Sequence, residues 1–336
     1  AGGMVGYIQT KSADHILYEA SDFSTAENIN YTFDANVSVS ATQNGAGPAY
    51  AGGLFGYNAF DITQSGSNGL HFHLTDGEHS FNVLAEQSAL SVPGVFENGK
   101  KTMYDVSAGL YSSRLQEGYS VRDFTLYAEN AEVTAQRAAG SAATGDIAAG
   151  GFAGKASGGS MSNVSMQFGK NVSVTALGYS YDSAYGHDGG AGAETGNNVY
   201  AGGFIGYLQN CTLNENGAGD ITVNFGAGSG AGTARYAVRG VQNAVSGNAD
   251  YKTEGYVGGV FGMLANGNAW NLNFTGASGG SLIYFTSSHD PNTASVGGLI
   301  GATRTGASTS SASYGSGTIF GNYSDYSVAG GTVENA

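Results

Sequence analysis

Apolar and polar residues alternate with period two through many short segments of this 336-residue chain. Ile221-Thr222-Val223-Asn224-Phe225 shows the pattern, as do Val164 to Phe168, Val172 to Ala176, Ile29 to Phe33, Val37 to Ala41, Leu70 to Leu74 and Phe81 to Ala85. Trp270 to Phe274 and Leu282 to Phe285 continue it. Alternation of this kind, bounded by Gly, Asn and Ser, predicts half-buried strands joined by tight corners. A marker recurs ahead of the segments: AGGMVGY from Ala1, AGGLFGY from Ala51, SAGLYS from Ser107, AGGFAGK from Ala149, AGGFIGY from Ala201, VGGVFGM from Val257 and VGGLIGA from Val296. The spacings are 50, 56, 42, 52, 56 and 39 residues, and a partial copy, AGGTV, starts at Ala329. Each unit reads as three short strands. One such unit cannot bury its apolar side alone, whereas stacked units pair their backbones and close a shared core. The pattern therefore predicts an all-β chain: one β-solenoid over residues 1–336, a right-handed parallel β-helix of about seven three-strand repeats with long corner inserts. The two apolar residues between the glycines cannot both face inward along a regular strand, so either one faces out or a bulge turns both in.

The Gly-Gly-apolar-apolar-Gly-Tyr start, with Asn210-Cys211-Thr212-Leu213 downstream and a further Val-rich strand, resembles the GLUG-type repeats of bacterial surface proteins. That resemblance implies a non-catalytic region of the kind found in adhesins and secreted peptidases. The units here are longer than that family's usual repeat, mainly between the third strand and the next glycine pair. The third marker is reduced to SAGLYS.

Composition narrows the partners. There are 57 glycines but 3 prolines and no Gly-X-Y period, so the glycine is not collagen chemistry. Hydrophobic residues at 41% suffice for a core, and charged residues at 11% are too few for the surfaces of helices. The net charge is −14, with 12 scattered cations of which Lys100-Lys101 is the one adjacent pair; nucleic acid and anionic membranes suit this surface poorly. Cys211 is the single cysteine, so no internal disulfide forms. No apolar run approaches the roughly 20 residues of a membrane span. The start at Ala1 without Met fits a processed or excised segment.

Candidate chemistry is sparse. His71 and His73, with Asp76 and His79, have metal-like spacing, since i and i+2 share a strand face. The same alternation turns Leu70, Phe72 and Leu74 inward, which makes the histidines ordinary solvent-facing positions. Asp182, His187, Asp188 and Glu194 offer oxygen ligands for Ca²⁺, yet match neither an EF-hand nor a GGxGxD repeat. No cofactor is predicted beyond that weak Ca²⁺ candidate. Nucleophile elbow, phosphate loop and zinc spacing are missing, and no carboxylate pair is privileged. Seven Asn-x-Ser/Thr triplets, at Asn30, Asn36, Asn163, Asn171, Asn210, Asn273 and Asn322, suit corner ladders as well as glycans. Tyr7, Tyr57 and Tyr207 recur at one repeat position and predict core stacks. Tyr179, Tyr181, Tyr185, Tyr200, Tyr236, Tyr251 and Tyr256 fall in the inserts, as a contact surface or as flank cover. The two longest inserts, roughly 177–200 and 226–256, occupy one repeat position. They should share a face, bringing Arg235, Tyr236 and Arg239 near Tyr181, Tyr185 and His187.

Two functional readings follow. The first is an extracellular structural or adhesive surface protein, partnered by itself or by a cell-surface glycan. The second is a polysaccharide-cleaving β-helix, a lyase or glycosidase, which needs one irregular groove with converging acids. Both ends of the numbered segment lie inside repeat markers. Ala1, Gly2, Gly3, Met4, Val5 and Tyr7 would then meet Val328, Gly330, Gly331 and Val333 of another copy, head to tail, and build a filament.

Overall fold

The computed structural model describes residues 1–3, 29–33, 35–45, 47–57, 70–74, 78–88, 96–97, 100–101, 104–116, 120–139, 145–179, 198–214, 219–225, 235–243, 254–270, 272–275, 281–287, 293–304, 318–320 and 331–335. Among these every regular element is a strand, and no helix is present. Apart from the small antiparallel pair Phe96–Glu97 and Lys100–Lys101, the ladders are parallel. No sheet closes on itself.

The marker supplies two strands rather than one. In the unit at Ala201, Val199–Gly202 enters a six-stranded sheet, the chain bends at Gly203 and Phe204, and Ile205–Gln209 enters a five-stranded sheet. That bend answers the question left open by the sequence: Phe204 and Ile205 are both fully buried. Leu54 with Phe55, Tyr111 with Ser112, and Val260 with Phe261 repeat the arrangement. The aromatics stack along the repeats, Tyr111 on Phe152 at 4.3 Å between ring centres and Phe152 on Phe204 at 5.0 Å.

Successive units pair in register. Gly52, Gly109, Gly150, Gly202, Gly258 and Gly297 form one column of the six-stranded sheet, and Gly2 bridges to Gly52. A Cβ at Gly202 would lie 2.0 Å from the Ile205 carbonyl oxygen, so the bend admits no side chain there. Gly206 is equally confined: its Cβ would lie 2.6 Å from the Ala149 oxygen, because the five-stranded sheet rests directly on the backbone of the six-stranded one. The six-stranded sheet also packs against the third, fourteen-stranded sheet, and its strands Val106–Gly109, Ile147–Gly150 and Val199–Gly202 are buried throughout. A main core draws Val199, Ala201, Ile205, Leu208, Val223 and Val238 from all three sheets.

Left-handed corners lead into the large sheet and recur within or just after its strands. Gly158, Asn210 and Asn266 turn at φ 66°, 53° and 48°, and Asp123, Asn163 and Asn214 at 50°, 52° and 52°. Asparagine and aspartate tolerate this region because a short polar side chain bonds locally. Here the bond runs between repeats: Asn266 Nδ2 donates to Asn210 Oδ1 at 2.6 Å, and Asn163 Nδ2 to Asp123 Oδ1 at 2.7 Å.

Two expectations need correction. The segments Val164 to Phe168 and Val172 to Ala176 are one strand, Ser160–Tyr179, which pairs with the equally long Ser120–Arg137 across an irregularity at Ala128/Asn130. The stretch 226–256 is not simply an insert. It contains the strand Arg235–Asn243, which pairs with the second half of Ser160–Tyr179. Its inward positions, Tyr236 and Val238, alternate as a strand requires.

Candidate functional site

The seam between the six- and five-stranded sheets holds the one dense cluster of charge among the described residues. Register builds it. The residue before each marker's first small residue forms the column Tyr50, Ser107, Ala148, Tyr200, Tyr256 and Ser295. The residue after the third glycine position forms the column Arg114, Lys155, Tyr207, Met263 and Ala302. In the later repeats the two columns meet as an apolar cluster, with Tyr200 4.8 Å from Tyr207 and 5.7 Å from Tyr256 between ring centres, and Met263 beside them.

In the earlier repeats the same place is ionic. Lys155 Nζ donates to Asp105 Oδ2 at 2.9 Å and to Asp146 Oδ2 at 3.0 Å, and sits 5.2 Å from the centre of the Tyr207 ring. Arg114 Nη1 donates to Tyr50 Oη at 2.7 Å and lies 3.5 Å from Asp105 Oδ2. The backbone N–H of Asp146 donates to Asp105 Oδ1 at 3.1 Å. Two repeats further on, the Glu254 N–H donates in the same way to the Asn198 amide oxygen Oδ1 at 3.1 Å, so the side-chain-to-backbone bond recurs along the repeats while the carboxylate does not. Side-chain exposures of 13% for Lys155, 14% for Asp105 and 16% for Asp146 place the ions in a nearly dry setting that solvent still reaches.

The two acids are not equivalent. Burial opposes ionisation of Asp105, but the Lys155 ammonium, the Arg114 guanidinium and the Asp146 N–H more than offset it, leaving its carboxyl below the ordinary value. Burial pushes the Asp146 carboxyl up, and Lys155 offsets this in part. Burial also disfavours the Lys155 charge, yet Asp146 and Asp105 together hold the ammonium above its usual range.

A second buried cation caps the neighbouring seam. Arg137 donates from Nε to Gln87 Oε1 at 3.0 Å, from Nη1 to the Gly145 carbonyl at 3.1 Å and from Nη2 to the Tyr104 carbonyl at 2.6 Å. Complete burial lowers its guanidinium to about 10, so it stays charged at neutral pH. Gln87 in turn donates to the Gly47 carbonyl at 3.0 Å. Both side chains hold the segments that return from the large sheet to the next glycine bend, a structural task.

The residues singled out from sequence fall elsewhere. His71 and His73 lie on the strand Leu70–His73, in register with Thr125 and Tyr127, alternating with buried Phe72 and Leu74. Tyr236 is not a surface contact. Its ring is buried against Phe225, 3.4 Å away between centres, with Phe168 at 6.1 Å, because its position alternates inward. Arg239 alternates to the other face, in register with Thr175 and Tyr284, and Arg235 pairs with Asn171. Tyr200 and Tyr256 are likewise buried seam residues rather than insert surface. Tyr181, Asp182, Tyr185, His187, Asp188, Met4, Val5, Tyr7, Val328 and Gly330 lie outside the described residues. Gly2 bridges to Gly52, the Ala1 ammonium donates to the Tyr50 carbonyl at 2.6 Å, and the Gly3 N–H donates to the Gly53 carbonyl at 2.9 Å. Gly331 and Val333 lie in the strand Gly331–Asn335, paired with Ser281 and Ile283. No helix among the described residues is long and apolar enough to cross a membrane.

The ionic cluster was missed because its members stand apart in sequence, each an isolated charge. The signal that finds it is the residue after the third glycine: Tyr57, Arg114, Lys155, Tyr207, Met263, Ala302. Set against known proteins, the chain matches no family, and no curated protein or solved structure is similar to it.

Proposed function

We propose that this chain is a β-solenoid acting as a non-catalytic structural and adhesive element outside the cell. The observation that carries the reading is the unbroken register of equivalent positions from Gly2 to Gly297, which describes an extended scaffold rather than a single cleft. The ionic seam supports it too. Its acids are tied to Lys155, and its columns are filled by Tyr207 and Met263 one and two repeats later, as a packing position allows and a catalytic one does not. The resemblance to GLUG-type repeats points to the same class.

Head-to-tail joining belongs to this proposal. Thr293–Gly297 is the outermost strand at one end of the six-stranded sheet, at the other end residues 1–3 bridge onto Ala49–Gly52, and such parallel edges accept a further strand in register. A heterologous contact of this type extends into a filament unless its rotation closes a ring. Negative-stain microscopy of the isolated chain tests the reading. Fibres that lengthen with concentration are expected. Compact, isodiametric particles would remove the scaffold reading, and isolated rods would remove head-to-tail assembly alone.

A further inference from the structure

We propose that the Lys155 amine and the Asp105 carboxyl join in an intramolecular amide bond that staples two consecutive repeats, with Asp146 relaying the proton. The inference rests on the seam geometry and is independent of what the scaffold binds. Lys155 Nζ sits 2.9 Å from Asp105 Oδ2 and 3.0 Å from Asp146 Oδ2, so the amine is hydrogen-bonded both to the carboxyl it would attack and to the proton relay. The remaining groups are placed for the charge that develops. Asp105 Oδ1 accepts the Asp146 N–H at 3.1 Å, a backbone donor aimed at the oxygen that becomes anionic on attack. Arg114 lies 3.5 Å from Oδ2, the oxygen that departs. The Tyr207 ring covers the amine from the neighbouring repeat.

The step balances without any co-reactant. One proton passes from the ammonium to Asp105 Oδ2, giving a neutral amine beside a neutral carboxyl. The nitrogen lone pair forms the C–N bond at Cγ, and the carbonyl π electrons move to Oδ1. Asp146 accepts a proton from the nitrogen at one oxygen and returns one to Oδ2, ending as it began. The C–Oδ2 bond then breaks, Oδ1 regains its double bond, and Oδ2 leaves as water to the solvent that still reaches these side chains. Nothing is oxidised or reduced. An ammonium and a carboxylate become a neutral amide, which removes two buried charges from a site where desolvation is costly. Both acids also stabilise the ammonium, so the neutral pair is a minor species and the reaction is slow; the fold holds amine and carboxyl side by side, which offsets this through high effective concentration.

The experiment is the intact mass of the full chain, purified and then denatured. A mass short of the sequence value by one water is expected. Proteolysis should release one branched peptide that joins the segment holding Asp105 to the segment holding Lys155, uncut by trypsin after Lys155. Lys155→Arg should restore the full mass with the far-ultraviolet β signal retained, and Asp146→Asn should slow the loss of water many-fold. A folded native chain that keeps its full mass after prolonged incubation overturns the proposal, whatever the variants do. Loss of water without a branched peptide, as a cyclic imide would give, also overturns it. A branch through Asp146 overturns the assignment of roles.

Discussion

The seam between the two smaller sheets is built twice, in two chemistries, within one chain. Around Ala149 it holds Asp105, Arg114, Asp146 and Lys155 in mutual contact. Around Ala201 and Val257 the corresponding columns hold Tyr200, Tyr207, Tyr256 and Met263, all buried in one cluster. The backbone follows one path in both, with continuous register and a glycine at the position of Gly202 in every bend. What the seam demands is therefore filled volume and satisfied polar groups, and not a particular chemistry. The glycine columns demand more. The position of Gly202 is glycine in every described unit, whereas the position of Gly206 is Ser113 in the unit at Ser107, where the Ser113 Oγ–H donates to the Gly56 carbonyl.

The largest expected effect comes from breaking the ionic half. Lys155→Met, the residue found two repeats later, leaves Asp105 and Asp146 buried without their cation. Removing one partner of a buried ion pair typically costs about 3–5 kcal/mol. Adding Asp105→Asn and Asp146→Asn to Lys155→Met removes the stranded charges and should recover most of that loss in denaturant unfolding. A triple variant no better than the single one would mean that the two halves of the seam are not interchangeable.

Next in size is the bend. Gly202→Ala puts a methyl 2.0 Å from the Ile205 oxygen and 2.8 Å from the Gly262 nitrogen, both backbone atoms that cannot swing aside. The expected cost is about 3 kcal/mol, at the upper end of overpacking. Gly206→Ser should cost less, because Ser113 shows that the backbone can accommodate a hydroxymethyl group at that column. Equal losses would show that Ser113 depends on features special to its own unit.

Much of this was legible in the amino-acid order and some was not. The glycine markers announced parallel, repeat-to-repeat pairing because close backbone approach excludes a side chain at one column and nearly excludes it at the other, and period-two alternation located most strands of the large sheet. The strand Arg235–Asn243 was hidden because Ile221–Asn224 already satisfied the expectation of a last strand, while Gly240 interrupts the alternation of Tyr236 and Val238. The ionic seam was hidden for a different reason. Asp105 and Lys155 lie 50 residues apart, and only the pairing of one unit with the next brings them together. Charge scattered along a repetitive chain becomes charge concentrated across it.

Acid should separate the two seams. Before any Lys155–Asp105 linkage forms, Asp105 has a folded-state value below 3.8, so its contribution is present above 3.8 and is lost as pH falls through the depressed value. Asp146 has the opposite sign. Its folded value is raised, so its contribution is present below 3.8 and is lost as pH rises through the raised value. Asp146→Asn should therefore gain on the native chain as pH climbs from 3.8 toward neutrality, and Asp105→Asn should fall behind over its own, more acidic range. Amide exchange should follow both trends in residues 146–157 and neither in residues 199–209, where the seam is made of tyrosine. Uniform pH dependence across both segments would contradict the assignment.

The smallest effect tests the corners that join the two halves to the large sheet. Asn210 is exposed, turns at φ 53° and accepts the Asn266 amide at 2.6 Å, so backbone conformation and side-chain bonding both favour asparagine there. The two contributions separate by substitution. Asn210→Ala loses both, and should cost about 1–2 kcal/mol from the left-handed backbone alone. Asn210→Gly keeps the backbone freedom and loses only an exposed hydrogen bond, so its cost should be near 0.5 kcal/mol, the low end for such a bond. Gly158 already occupies this corner one repeat earlier, at φ 66°, without a side chain to offer. If alanine and glycine cost the same in thermal unfolding, the ladder between Asn210 and Asn266 carries the corner; if glycine is nearly silent, the left-handed turn does, and the asparagines stack because the turn has already aligned them.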